Sequence, residues 1–461
     1  MSEHNEQKGL QGNECDSLSL PRERIDWFTR PIAKFLRIEA AAGLVLFVFT
    51  IAALALSNSA LNHRFLEIWE TPIGLILGSF EWTRSVREWI NDGLMTLFFF
   101  LVSLELKREL VLGELSDPSK AALSIMAALG GMLVPAIVYL SFQLGLPGYN
   151  GWGTVMATDT AFVIGCLALL GNRIPQSLRI FMLSLAIVDD IGAILVVAIG
   201  YGDTINWQML ILALAGLIFM GWMNFLGIRN LGIFFLCGVL IWIIVDISGI
   251  HATVTGVILG LMAPTKSWIS NELLNVIFEG VTSRPKNETW NGNTNSRKAL
   301  RMAEVAARET LSPVEQLEII LHPWVGFFIM PLFAFANAGI SLSFADLNNP
   351  VFLAVFVSFV LGKPMGICGF SWLAIRLGLA VRPPDLDWIL LVAGGLLAGI
   401  GFTMSLFVAN LAYSTALISS AKLGIFAASI FCGGTGMTLL AGWYCLGKRS
   451  QGIDKSTYSQ G

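Results

Sequence analysis

The sequence predicts an all-α polytopic membrane protein with about twelve transmembrane helices. Three observations predict it. Of the 461 residues, 55% are hydrophobic and only 13% charged, about half of the roughly 25% carried by soluble domains. Apolar runs long enough to span a bilayer, about 20 residues each, recur along the chain. Lysine and arginine collect in alternate connections between those runs, as they do on the cytoplasmic side of membrane proteins.

In chain order, residues 1–37 read as a cytoplasmic tail, because Met1 to Leu20 is polar and no signal-peptide core follows. Its last part, Asp26 to Arg37, mixes basic and aromatic residues and suits either an interfacial helix or a basic linker. The membrane domain is expected over 38–447. Its runs start near Ala40, Leu94, Ala121, Ala157, Ile180, Trp207, Leu231, Trp324, Val351, Ile389 and Ala416, with a shorter one from His251 to Met262. This count puts both termini, including the tail 448–461, on one side. Lys107, Arg108, Lys120, Arg173, Arg179, Arg229, Arg376 and Arg382 fall on that side, which is therefore read as cytoplasmic. Only the first outer loop breaks the trend, with Arg64, Arg84 and Arg87.

Two connections stand out. From Thr71 to Trp82, short apolar runs split by Gly78-Ser79 fit a β-hairpin with an edge free to pair, or a simple surface loop. The connection 263–322 is long, and the composition of 266–311 cannot bury a core, so it is expected to be disordered about its centre. The scattered cysteines form no CxxC and no Cys/His cluster, which argues against disulfide frameworks and zinc. A net charge of −3 gives no reason to expect a nucleic-acid partner.

The chemistry sits in a few polar residues inside apolar runs. Asp189 and Asp190 are adjacent in the middle of a spanning stretch, where one charge costs about 3 kcal/mol on insertion scales. Such a pair survives only where water, a cation or a counter-charge reaches it. Asp159 lies in a Gly- and Thr-containing stretch with Thr158, and either residue can cap a helix that begins there. Four glycines between Gly394 and Ser405 weaken a second span, through close helix packing or through a break. Interrupted segments in corresponding places of two halves point to a transporter's binding site. Lys363 reads as the only lysine deep within a span. Being buried, it demands a carboxylate partner, either Asp189 or Asp190.

Glu105, Arg108 and Glu109 share one helix face, as do Glu315, Glu318 and His322. Both sets suit a solvated charged face or a network whose protonation gates an ion entrance. His251 reads as a satisfied boundary histidine, and Asp92 as a cap on the second span.

Several stretches closely resemble bacterial NhaA-type Na+/H+ antiporters. They are Phe98 to Glu109, Ala157 to Phe162, Leu185 to Ala193, Leu321 to Trp324, Ala334 to Gly339, Leu361 to Pro364 and Gly399 to Ser405. The resemblance implies inverted-topology repeats and two crossing discontinuous helices, around Thr158 and Gly401. It implies that Asp190, with Asp189 and Thr158, binds the transported Na+ and the protons. Asp159 and Thr158 would offset exposed helix ends, and Lys363 would pair with Asp189. It also implies a pH-sensing region at Glu105, Arg108, Glu109, Glu318 and His322, to which His251 is added as a candidate. A homodimer through the hairpin from Thr71 to Trp82 is implied as well. The expected activity is electrogenic, pH-regulated export of Na+ and Li+ against H+ across a bacterial inner membrane, with no cofactor and no enzymatic step. Glu315 and Ile319 depart from the family's usual basic residue and histidine, so the pH of activation does not carry over. The rivals are an intramembrane aspartyl protease, with Asp159 and Asp190 sharing a proton, and a cation channel. No GxGD-like stretch supports the protease.

Overall fold

The computed structural model describes residues 39–77, 80–113, 116–202, 205–226, 231–265, 271–282, 294–340 and 344–457. The N-terminal tail, with its expected helix or linker, and the loop centre 283–293 lie outside the described residues. The first span, α1 (Glu39–Ser57), turns through 116° into the short α2 (Asn62–Glu70). A hairpin follows, β1 (Pro72–Leu77) antiparallel to β2 (Phe80–Ser85), with Pro72 opposite Ser85 and Leu77 opposite Phe80.

Then come α3 (Val86–Val111), α4 (Pro118–Gln143), a 3-10 turn Tyr149–Val155 leading to α5 (Thr160–Leu170), and α6 (Gln176–Gly200). The middle of the chain forms α7 (Trp207–Phe225), α8 (Leu231–Ile247), α9 (Thr253–Met262), α10 (Asn271–Thr282) and α11 (Thr294–Glu309). The last part holds α12 (Pro313–Asn337), the single-turn α13 (Phe344–Leu347), α14 (Pro350–Arg376), α15 (Trp388–Ala398), α16 (Phe402–Ala412) and α17 (Ile418–Thr457). Among the described residues, eight helical stretches are long and apolar enough to cross a membrane. Two bent pairs and the two shorter apolar helices α8 and α9 bring the apolar segments among the described residues to twelve.

Two triplets organise these segments. In α4, the broken stretch through α5, and α6, a continuous helix, an interrupted one and a continuous one follow each other. The same order recurs in α14, the α15–α16 pair bent by 47°, and α17. Four crossings (α7, α8, α9 and α12) separate the triplets, so each helix lies seven crossings from its counterpart and the two triplets run in opposite directions, as inverted-topology repeats do. They pack into one six-helix bundle, while α1, α3, α9 and α12 pack beside it as a panel. Backbone contact between α4 and α14 anchors the bundle. A Cβ on Gly366 would lie 2.1 Å from the Gly130 carbonyl oxygen, and one on Gly130 would lie 2.2 Å from that of Gly366. Only glycine permits that approach.

Three expectations are corrected. The second span begins at Val86 and not near Leu94. The ninth begins at Pro313 and not near Trp324, because Ser312 and Glu315 form a capping box ahead of it. Of the stretch 266–311, the arms are helical, as α10 and α11. Each arm is amphipathic, and they pack on one another with Ala303 and Ala306 buried, so two modest apolar faces suffice where no large core is available.

Candidate functional site

The two interrupted segments cross at their breaks and are stitched there. The Asp159 amide donates to the Ile400 carbonyl at 2.7 Å, and the Thr158 hydroxyl lies 3.0 Å from that of Ala398. A break leaves backbone groups without helical partners, and in a membrane these must be satisfied by protein. Asp159 serves the amino ends of both half-helices. Its Oδ1 accepts from the Phe162 amide of α5 at 3.2 Å. Its Oδ2 accepts from the amide and hydroxyl of Thr403 in α16 at 2.9 and 2.5 Å. Each helix start carries about +0.5 charge, so one carboxylate answers two positive ends.

Lys363 serves the carboxy end that the break leaves in the first interrupted segment. Glycines at the α4–α14 contact let its stem run past Gly131, and its ammonium donates to three oxygens. These are the Met156 carbonyl at 2.5 Å, the Thr158 hydroxyl at 2.7 Å and Asp189 Oδ2 at 2.7 Å. The side chains of Lys363 and Asp189 are each 1% exposed. Thr158 also contacts Asp189 Oδ2 through its hydroxyl. Geometry thus resolves which aspartate Lys363 meets. Asp189 and Asp190 project about 100° apart on α6, and only Asp189 points at the lysine.

Asp190 is left differently disposed. Its Oδ2 accepts from the neutral Thr160 hydroxyl at 2.9 Å, and it feels the charges of Asp189, Asp159 and Glu105. Asp189 Oδ1 is buried and has no hydrogen-bond partner among the described residues. Both aspartates are buried, so the pocket holds more acceptor oxygen than donor. Such an excess of acceptors suits the uptake of a proton or a small cation.

Arg108 reaches Glu318 at 2.6 Å, and Glu109 and His322 act electrostatically on the same carboxylate. Glu315 turns back onto the Ser312 amide and hydroxyl at 2.8 Å each, serving as a cap. His251 lies away from this group. It contacts the Thr253 hydroxyl at 3.0 Å and Asp92 at 3.7 Å, and its ring stands edge-on to Phe407.

Two readings are corrected. Asp92 does not cap a span. It sits in a π-helical turn inside α3 and binds Arg84 at 2.5 Å, while the other arm of Arg84 binds Asp246 at 2.5 Å. Arg87 likewise pairs with Glu70, so two of the arginines that broke the charge trend have acidic partners. Lys363 is also not alone, since Lys422 in α17 is 4% exposed and donates to the Asn337 carbonyl at 2.8 Å. Thr160 and Thr403 were not singled out from the sequence. Their signal was a hydroxyl beside each break.

Two interrupted helices crossing at their breaks, with acidic and basic side chains answering opposite charges there, suit an ion carrier. Comparison with known proteins agrees. Residues 33–440 match the family described as Na+/H+ antiporter 1. The chain is 55% identical to Na(+)/H(+) antiporter NhaA 1 of Acidiphilium cryptum, over 94% of this chain and 96% of that protein. It is 55% identical to Na(+)/H(+) antiporter NhaA 2 of Vibrio vulnificus, over 93% and 94%. With Na(+)/H(+) antiporter NhaA of Rhizobium meliloti it shares 54% identity over 92% and 98%. The chain therefore belongs to the NhaA-type Na+/H+ antiporter family and is a transporter, not an enzyme.

Proposed function

We propose that this protein exports Na+, and Li+ with it, in exchange for H+ by alternating access at Asp189 and Asp190. The observation that carries the reading is the buried aspartate pair, in which Asp189 meets Lys363 and Asp190 meets only a hydroxyl among the described residues. A bare carboxylate there carries an insertion penalty of about 3 kcal/mol or more. The site therefore changes sides loaded with a proton or with a cation, and the two ligands compete. Thr158 and the free Oδ1 of Asp189 are placed to share in holding the cation. With two acids titrating per cycle, more protons than sodium ions move, and membrane potential assists export. Glu318 with the charges around it (Arg108, Glu109 and His322) and Glu105, which acts on Asp190, are assigned to pH regulation, with His251 as a separate candidate. Both termini are assigned to the cytoplasm of a bacterial inner membrane, which places the β-hairpin outside.

The test is a pH-gradient dye assay in everted vesicles, titrating NaCl, LiCl and KCl across pH. Asp190→Asn is expected to abolish the response, and normal Na+-driven recovery in that variant refutes the site. The protease reading is not favoured, because helix-end donors occupy both oxygens of Asp159. The hairpin is proposed to join two copies. Replacing residues 73–82 by a short Gly-Ser turn is expected to give a monomer by light scattering in detergent, and a persisting dimer refutes that interface.

A further inference from the structure

We infer that Asn337, Asn410 and Lys422 form a clasp that shuts the outer approach to the aspartates and opens in every transport cycle. The inference rests on the exchange reading above and adds a gate to it. Asn337 is the last residue of the panel helix α12 and is fully buried. Its Nδ2 donates to Asn91 Oδ1 in α3 at 2.7 Å, a bond within the panel. Two further bonds cross from the bundle. Asn410 in α16 donates from Nδ2 to Asn337 Oδ1 at 2.8 Å, and Lys422 in α17 donates to the Asn337 carbonyl at 2.8 Å. One panel residue thus receives both repeat helices that flank the seam.

The clasp lies in line with the site. Thr403, which binds Asp159, and Asn410 are two turns apart on one face of α16. Phe407 sits on that face between them and packs against Phe99 of α3 and Phe333 of α12, at centroid distances of 5.7 and 6.3 Å. An apolar plug therefore separates the aspartates from a polar tie closer to the hairpin end. Transporters of this architecture work by rocking one bundle against the other elements around a fixed site. Such motion must part the seam that Asn410 and Lys422 bridge. The ion pair at the other end, Arg108–Glu318, joins two panel helices and does not cross the seam.

The chemistry of Lys422 suits a tie that must release. Among the described residues its hydrogen-bond partner is a neutral carbonyl at the carboxy end of α12, where a cation is favoured. Burial of an ammonium without a counter-ion is costly. Opening trades that carbonyl for water, which compensates the broken bond, as a cycling gate requires.

The test pairs Asn337→Cys with Asn410→Cys and bridges them with a short bis-methanethiosulfonate in everted vesicles. The control pairs Asn91→Cys with Asn337→Cys, bridged within the panel by the same reagent. Bridging the seam is expected to lower Na+-driven exchange at least ten-fold, with recovery on reduction, while the panel bridge leaves most of the activity. Undiminished exchange with the seam pair bridged, shown by mass spectrometry, overturns the clasp. Asn337→Cys with Lys422→Cys spans the same seam and is read in the same way should the first pair fail to accumulate. Absence of Na+-driven exchange in the unmodified protein would instead overturn the exchange reading.

Discussion

Replacing Lys363 by methionine keeps most of the side-chain volume and removes the ammonium, and the structure sets the consequence. Three acceptors lose their donor at once: Asp189 Oδ2, the Thr158 hydroxyl and the Met156 carbonyl. The pair is buried on both sides, so solvent does not screen the loss. Removing one partner of a buried ion pair costs about 3–5 kcal/mol, because the other charge is left uncompensated. Removing both charges costs much less, since neither is stranded. Asp189→Asn in the Lys363→Met background is therefore expected to recover most of the loss, with a coupling energy of about 2–3 kcal/mol. The assay is unfolding of all four proteins of the cycle in one detergent, followed by tryptophan fluorescence. A single variant as stable as the parent refutes the argument. So does a double variant whose loss equals the sum of the single losses within about 0.5 kcal/mol.

Two further outcomes follow from the crossing and from the charge cluster beside it. Asp159→Ala removes the acceptor of two helix starts, each cap worth about 1 kcal/mol, and should cost about 2 kcal/mol or more in the same unfolding assay; unaltered stability counts against the double cap. Arg108→Gln breaks an ion pair whose arginine is 40% exposed, so stability should change by no more than about 1 kcal/mol. Its effect should appear as a displaced pH profile of exchange, and an unchanged profile would remove Arg108 from the regulatory set.

Much of this molecule is legible in one dimension. Apolar runs define spans because a bilayer penalises unpaired polar groups wherever they fall, so segment number follows from local composition. Asp189, Asp190, Asp159 and Lys363 stand out for the same reason: a charge inside such a run needs an explanation at once. The weakness near Thr158 and Gly401 is equally local, since glycine reduces helix stability without reference to neighbours.

Pairing is another matter. That Lys363 meets Asp189 depends on how α14 lies against α4, which the contact of Gly130 with Gly366 decides. That Asp246 answers Arg84, and that Lys422 answers the end of α12, depends on residues far apart in the chain. Lys422 escaped notice because a lysine near the start of a span reads as one that snorkels to the surface. Local hydropathy likewise misplaced the starts of α3 and α12, where a capping box opens the helix ahead of its apolar run and polar residues in its first turns meet partners on other helices. Composition along the chain was enough to mark about twelve apolar segments and the residues that cannot rest in lipid alone. The tertiary structure decided which of them answer one another, because a hydrogen bond is a relation between positions in space and hydropathy is a property of one.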